Sequence, residues 1–225
     1  HAYSTWLENI HAAKEAGLSY LAITDHGPTM PGSPGRWYFK NLKIIPHQVD
    51  GVYLLTGVES NVVDFDGNID YVDDEHKNLN WVIASIHSST LLTKEAPTVE
   101  SCTNAWLQIA KDPRVCVIGH CGMPKFRFDY EPVFGQSGKL VEINNNSFHV
   151  RKDAIINCKQ IALLCKKHGV RVIVNTDSHF ATQVGHADLA LAMLEEIGFP
   201  EELVVNSSVE RFQHYLHERN IYLED

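Results

Sequence analysis

The chain has 225 residues, of which 44% are hydrophobic and 21% are charged, a balance typical of a single globular domain over residues 1–225. Nineteen Lys and Arg residues against 28 Asp and Glu residues give a net charge of −9, which disfavours nucleic-acid partners because phosphate backbones repel an acidic surface. No apolar run approaches the roughly 20 residues that a membrane-spanning helix needs, so we expect no membrane partner.

The cysteines and histidines narrow the class of protein further. The five cysteines show no CxxC spacing, and no signal-like segment precedes them, so a reduced, cytoplasmic setting is expected. The 13 histidines are roughly twice the number that average usage would give. Their positions along the chain therefore carry most of the functional information.

The predicted elements alternate between helices and strands from the first residues. Ser4 is expected to cap a helix that runs to about Ala16, and an apolar strand follows at 20–23. The same unit recurs, with strands predicted at 52–55, 81–84, 115–118, 140–143 and 172–174. Amphipathic helices are predicted at about 98–111, 153–168, 186–197 and 208–219, a hairpin at 61–70 turning at Asp66-Gly67, and a last strand at Val204-Val205.

Repeated βα units predict either an open parallel sheet or a closed barrel. The barrel is favoured because polar residues follow nearly every predicted strand at its carboxyl end. Only a closed or strongly curved sheet brings so many strand ends to one mouth. The expected fold class is therefore α/β, with a barrel-like parallel sheet, and the Pro- and Gly-rich stretch 28–35 is long enough to cover the mouth.

Six of the polar residues at the strand ends have metal-ligating side chains. Imidazole nitrogens and carboxylate oxygens are ligands for Zn²⁺, Mn²⁺ or Fe²⁺, and the absence of cysteine from the set favours an open, catalytic centre. Six ligands exceed the needs of one tetrahedral ion, so at least two ions are expected, bridged by Glu59 or Asp177. The candidate ligands are His26, Glu59, His87, His120, Asp177 and His179.

Other polar residues near strand ends have two interpretations each. Arg151 and Lys125 follow strand ends in loops, where they are either phosphate contacts or solvated surface charges. Glu142 and the run Asn144-Asn145-Asn146 end another strand, and these asparagines either orient a substrate or close a turn.

In combination, these motifs resemble the PHP family of metallophosphoesterases, and within it the YcdX-like bacterial phosphatases. The resemblance spans essentially the whole chain and rests on His1-Ala-Tyr-Ser-Thr5, Thr24-Asp-His-Gly-Pro28, Gly57-Val-Glu-Ser-Asn61, His87, Gly119-His120 with Pro124-Lys125, Glu142-Ile-Asn-Asn-Asn-Ser147 and Thr176-Asp-Ser-His179. It implies a distorted (β/α)₇ TIM-like barrel, whose first strand, ending in His-x-His before the position of His1, is not in this sequence.

The resemblance also implies a trinuclear centre of zinc or manganese ions. One ion would be held by His1, His26 and His179, a second by Glu59, His87 and His120, and Asp177 and Glu59 would contribute to a third. Without the His-x-His pair the third ion lacks two of its family ligands, so two to three ions are expected. The YcdX-like resemblance further implies a homotrimer.

The expected function is hydrolysis of small phosphate monoesters by a metal-activated hydroxide, because clustered cations neutralise phosphate charge and lower the pKa of water. Zinc is favoured over manganese or iron at nitrogen-rich sites. Two alternatives remain open. One is an amidohydrolase-like hydrolase, which often bridges its ions with a modified lysine at a strand end, and the other is a non-catalytic, metal-stabilised PHP module.

Overall fold

The computed structural model describes residues 2–71 and 79–223 of the chain. In these residues one curled sheet contains all the strands, and its neighbours run in the order β1-β3-β4-β5-β6-β7 with β2 on the side of β3. The strands are β1 (Tyr20–Ile23), β2 (Gln48–Val49), β3 (Val52–Asn61), β4 (Trp81–Ser85), β5 (Val117–Ile118), β6 (Leu140–Asn144) and β7 (Val172–Asn175).

Every pairing along this path is parallel, and only the short β2 runs antiparallel. In the described residues the sheet is open between β1 and β7. The α-helices are α1 (Trp6–Glu15), α2 (Arg36–Asn41), α3 (Val99–Lys111), α4 (Tyr130–Ser137), α5 (Ser147–Val150), α6 (Ile155–His168), α7 (Asp188–Glu196) and α8 (Val209–Glu218). The curled, parallel α/β architecture confirms the fold class predicted from the alternating pattern.

Strand β3 pairs with two neighbours in turn. Its first half pairs with β1, from Tyr20 opposite Tyr53 to Ile23 opposite Thr56, and its second half pairs with β4. Gly57 stands at the change of partner, where a Cβ atom would lie 2.4 Å from the carbonyl oxygen of Trp81. Only glycine lets the strands approach this closely.

The two faces of the sheet bury different clusters because successive side chains along a strand point to opposite sides. Val82 and Ala84 of β4 belong to the cluster that packs against α3, where Trp106 and Ile109 are buried. Trp81 and Ile83 belong to a second cluster, which also contains Phe212, Tyr215 and Leu216 of α8. Helix α8 therefore packs against the face of the sheet opposite to α3.

The first helix begins one residue later than the sequence predicts. Thr5 is the N-cap, and its hydroxyl accepts a hydrogen bond from the backbone N–H of Glu8 while the Glu8 carboxylate accepts one from the N–H of Thr5. This reciprocal capping box satisfies two amide groups that the helix itself leaves free. The hydroxyl of Ser4, the residue expected to cap, accepts instead from the N–H of Ala181.

The strand predicted at Val204-Val205 is wrong. Only a single bridge joins Val204 to Val172 of β7, with the N–H of Val205 donating to the Val172 carbonyl. Beyond it, the Asn206 side chain takes the place of a strand: its Oδ1 accepts from the N–H of Val174 and its Nδ2 donates to the Val174 carbonyl. A side chain thus satisfies backbone groups that a further strand would otherwise pair with.

Strand β3 continues six residues beyond the predicted strand at 52–55, to Asn61. The other predicted elements agree with the structure within a few residues. The hairpin is present as a bridge between Val62 and Ile69, and the predicted strand at 115–118 is shortened to β5. No helix within the described ranges has the length and apolarity needed to cross a membrane.

Replacing Trp81 with alanine should destabilise the protein by about 3–5 kcal/mol, because this side chain is 1% exposed and its removal leaves a cavity beside Phe212 and Tyr215. Trp37→Ala is the matched control, since Trp37 is 79% exposed, and its effect should stay within about 0.5 kcal/mol. Urea denaturation of both variants measures the difference. Equal stability losses in the two would contradict the assignment of Trp81 to the core.

Candidate metal centre

The carboxylate of Glu59 lies at the centre of three imidazole rings. Its Oε2 is 3.1 Å from Nδ1 of His26, and its Oε1 is 2.9 Å from Nε2 of His120 and 3.5 Å from Nε2 of His87. His26, Glu59 and His87 each offer a ligand atom within 4.8 Å of the other two. The side chains are largely buried, with 4% to 14% of their surface exposed.

The parallel register of the sheet assembles these four residues. The backbone of His26, just beyond the end of β1, forms a bridge with Glu59, and the N–H of Glu59 donates to the carbonyl of Asp25. His87 follows β4, and His120 follows β5 after one glycine. Because β1, β3, β4 and β5 are parallel neighbours, their carboxyl ends deliver all four side chains to one edge.

A second polar group lies at the ends of β6 and β7, around Asp177. The Asp177 carboxylate accepts from the side-chain amides of Asn144 and Asn146 at 3.2 and 3.4 Å. Nδ1 of His179 is 3.7 Å from Asp177 Oδ1 and 3.0 Å from the Asp177 carbonyl oxygen. Asp177 has a φ of 50°, in the left-handed region that aspartate adopts more readily than most residues.

The two groups face each other closely enough to interact electrostatically. Burial lowers the pKa of His26, while the negative charges of Glu59 and Asp177 act in the opposite direction. Asp177 also helps to raise the pKa of Glu142, a carboxyl whose main perturbation is burial. The resemblance places His26 on one ion with His179, whereas these contacts place its Nδ1 beside Glu59, so that division of ligands stays a prediction.

The structure locates the two predicted phosphate contacts at different depths. Arg151 is largely buried; its Nη1 donates to Ser147 Oγ at 3.2 Å and to Asp177 Oδ2 at 3.4 Å. Lys125 is exposed, and its Nζ donates to Ser88 Oγ at 3.0 Å. His1, the remaining predicted ligand, lies outside the described residues.

Glu142 contacts the backbone of one candidate ligand, His120, and the side-chain amides of neighbouring asparagines. Glu142 accepts from the backbone N–H of His120 at 2.6 Å and from the side-chain amides of Asn144 and Asn175 at 3.2 and 2.8 Å. Asn145 instead accepts from the first amides of α7, those of Leu189 and Ala190. Asn144 fits the turn-closing interpretation, because its Oδ1 accepts from the backbone N–H of Ser147, whereas a role of the asparagines in orienting a substrate stays a prediction.

Two residues of the site escape prediction from sequence alone. Asn61 ends β3, and its Oδ1 is 2.8 Å from Nδ1 of His87; Asp70, from the hairpin, accepts a hydrogen bond from the Asn61 amide. The motif Gly57-Val-Glu-Ser-Asn61 includes Asn61 without revealing this partner. Nothing in the spacing of Asp70 from the ligands indicates that the hairpin folds back onto them.

The charges of the cluster depend on one another. Burial alone would raise the pKa of the Glu59 carboxyl, but the hydrogen bond from His120 and the attraction of the surrounding imidazoles hold it well below its usual range. Burial lowers the pKa of His87 to about 3. For His120 burial acts to lower the pKa, but the hydrogen bond to Glu59 and the negative charges of Glu59 and Glu142 together raise it. At neutral pH the cluster therefore contains an anionic carboxylate and a neutral His87, which are the protonation states that bind divalent cations.

A cavity of about 900 Å³ opens beside these residues. It extends from the mouth, lined by His26, Asp177 and His179, toward the open side of the sheet between β1 and β7. Trp6 and Tyr38 lie on its wall, where the Trp6 indole donates to the Tyr38 hydroxyl and this hydroxyl donates to Asp25. The cluster around Glu59 is thus accessible to a small molecule.

Comparison with known proteins gives several similar sequences. The chain is 43% identical over 219 residues to a probable phosphatase of Clostridium botulinum, covering 96% of this chain and 89% of that one. A probable phosphatase of Acetivibrio thermocellus is 42% identical with 96% and 90% coverage, and one of Caldanaerobacter subterraneus is 44% identical with 97% and 87% coverage. No known family model matches the chain.

Among solved structures, the fold is similar to that of a histidinol phosphate phosphatase from Lactococcus lactis, crystallised with zinc, L-histidinol and phosphate. The TM-score is 0.53 at 18% identity, and the match covers 88% of this chain and 89% of that one. This likeness supports the α/β barrel-like architecture.

The stability of the metal-free protein should fall as the pH drops. Because the folded pKa of His87 is about 3 and the unfolded value is about 6.5, the unfolded chain binds more protons between these values. The contribution of neutral His87 is therefore complete above pH 6.5, and about 2 kcal/mol of it is lost by pH 4.5. Denaturation of chelator-treated wild type and His87→Gln at pH 7 and 4.5 tests this, and an equally steep fall in the variant would contradict it.

Proposed function

Since the chain belongs to the family of these probable phosphatases, a PHP-like family, we propose that it hydrolyses small phosphate monoesters with the help of two to three divalent metal ions. The observation that carries the proposal is the Glu59 carboxylate held among the rings of His26, His87 and His120. A buried group of this kind favours cation binding because a carboxylate and imidazole nitrogens removed from solvent need a charged or polar partner.

The donor set fits divalent ions of the zinc class. Glu59 with His26, His87 and His120 would hold one or more ions, and Asp177 with His179 would hold another, with His1 as a further candidate. Three imidazoles around one carboxylate favour zinc over manganese or iron. Bound there, such ions would supply positive charge for the phosphate oxygens and lower the pKa of a water molecule.

Residues of the chain itself would bind and orient the phosphate. Within the described part of the chain, the Arg151 guanidinium donates to Ser147 at 3.2 Å and to Asp177 at 3.4 Å, so a small rotation would turn it toward a phosphate. A charge-assisted, bidentate contact would then fix the phosphate beside Asp177. Lys125, on the exposed rim next to Ser88, would contribute a weaker attraction. The 900 Å³ cavity has room for a small organic leaving group.

The amidohydrolase-like alternative is disfavoured by the position of the buried lysine. Lys139 precedes β6, at the amino end of the strand, and its Nζ donates to the carbonyl of Asp112. It is thus held at the opposite end of the sheet from Glu59. Among the described contacts of Glu59, none involves a lysine. A non-catalytic module is disfavoured because a largely buried arginine and a cavity lie beside the metal-ligating cluster. The homotrimer stays a prediction.

Replacing His87 or His120 with alanine should remove most hydrolysis of p-nitrophenyl phosphate and most bound zinc, while circular dichroism stays that of the wild type. Each substitution deletes one candidate ligand from a strand end outside the hydrophobic clusters. His214→Ala is the matched control, because the His214 side chain is 77% exposed on α8. Elemental analysis and turnover decide it, and wild-type metal content and rates in both ligand variants would refute the proposal.

Arg151→Ala should lower kcat/KM for p-nitrophenyl phosphate by about 10–100-fold, the value of a charged hydrogen bond to the phosphate. Lys125→Ala should lower it by less than about fivefold, because exposed charges are screened by solvent. Bound metal should be unchanged in both. A larger loss in Lys125→Ala than in Arg151→Ala would reverse the assignment of the two residues.

A further inference from the structure

The Asp70 carboxylate is buried next to the cluster without touching a candidate ligand directly. It is 6% exposed and accepts five hydrogen bonds. Its Oδ2 accepts from the backbone N–H and the hydroxyl of Thr29 and from Asn61 Nδ2, and its Oδ1 accepts from the Ser60 hydroxyl and the backbone N–H of Asn61. Asp70 therefore joins the hairpin to the loop after His26 and to the end of β3.

This junction is closely packed. A Cβ atom on Gly27, the residue after His26, would lie 2.2 Å from Oδ1 of Asp70. A side chain at this position would have to displace the carboxylate, so only glycine fits. The N–H of Gly27 donates to the carbonyl of Glu59, and the Gly27 carbonyl accepts from Asn61 Nδ2 at 3.2 Å. Asp70, Gly27 and Asn61 thus hold one another in a fixed arrangement.

The hydrogen bonds of Asn61 define which way its amide points. Its Nδ2 is 2.7 Å from Asp70 Oδ2 and 3.2 Å from the Gly27 carbonyl, and a carbonyl oxygen can only accept. The amide nitrogen must therefore face these two partners, and the amide oxygen must face His87. Since that oxygen is an acceptor 2.8 Å from His87 Nδ1, Nδ1 carries the proton of the neutral ring.

The consequence for His87 is a lone pair on Nε2 that points into the cluster. This nitrogen is 3.5 Å from Glu59 Oε1 and 3.1 Å from His120 Nε2. A lone pair facing a carboxylate is repelled by it, and a cation between the two removes the repulsion. The other tautomer, with the proton on Nε2, would hydrogen-bond to Glu59 and would block a metal from this nitrogen.

We propose that Asp70 is a positioning residue, which acts through Asn61 to hold His87 in the tautomer whose Nε2 is free to bind a divalent ion. This inference rests on the proposed function only in assuming that His87 is a metal ligand. Outer contacts that fix a ligating imidazole typically change metal affinity by about 10–100-fold. A purely structural role would instead anchor the hairpin and leave the His87 tautomer unchanged.

The test uses metal-free protein labelled with ¹⁵N-histidine at pH 8, where the ring nitrogen shifts report the tautomer, together with zinc affinity from chelator competition. In wild type the His87 proton should reside on Nδ1. In Asp70→Ala and Asn61→Ala the Nε2–H form should become populated, and zinc affinity should fall about 10–100-fold. The matched control is Ser60→Ala, which removes one hydrogen bond of Asp70 but not its contact with the Asn61 amide; both readouts should stay at wild-type values.

An unchanged tautomer and affinity in Asp70→Ala would overturn the proposal, and so would an equal loss in Ser60→Ala. If Asp70→Ala does not fold, Asp70→Leu replaces it. That variant has a side chain of similar size but offers no acceptor to the Asn61 amide, so the Nδ1–H population should decline, and its persistence would refute the proposal. Phosphatase turnover is measured separately: an inactive wild type with the expected His87 tautomer would refute the proposed function alone.

Discussion

The staggered pairing of β3 is the constraint on which the rest of the site depends. Because its first half pairs with β1 and its second half with β4, the end of β1 lies opposite the middle of β3, and the end of β4 lies opposite the end of β3. Glu59 therefore comes level with His26 on one side and close to His87 on the other. Gly57 permits this change of partner because it has no side chain to collide with the backbone of Trp81.

The same arrangement buries several polar side chains near the carboxyl ends of the strands. Glu59, Asn61, Asp70, His120 and Glu142 are all buried, and each must be hydrogen-bonded or neutralised to avoid a large desolvation cost. Asp70 meets this requirement with N–H and O–H donors, and Glu142 meets it with three N–H donors. Glu59 meets it through imidazoles whose pKa values it perturbs in turn. The cluster is thus a region where stability depends on the protonation state and on bound cations.

Much of this site follows from the sequence because parallel strands impose a simple rule. Residues that come directly after apolar strands meet at one edge, and so His26, Glu59, His87 and His120 could be placed together from spacing alone. The position of Asp70 does not follow from this rule. Its position depends on how far the hairpin bends back and on the absence of a side chain at Gly27, and both are properties of the folded chain.

The errors in the predicted elements also involve contacts between residues that are distant in the sequence. Val204-Val205 has the apolar composition of a strand, but pairing stops after one bridge because the side chain of Asn206 occupies the next backbone groups of β7. Ser4 and Thr5 both have side chains that can cap a helix. Glu8, three residues after Thr5, completes a capping box with Thr5, and Ser4 instead contacts Ala181, 177 residues away. Local pattern carries no information on the contacts of Asn206 and Ser4.

The amide of Asn206 also changes which backbone groups are left free along the edge of β7. An exposed strand edge with free N–H and C=O groups can recruit a strand from a neighbouring molecule and so begin aggregation. On β7 the carbonyl of Val172 and both backbone groups of Val174 are already bonded within the chain. The Asn206 side chain and the N–H of Val205 therefore occupy backbone groups of β7 that an added strand would need.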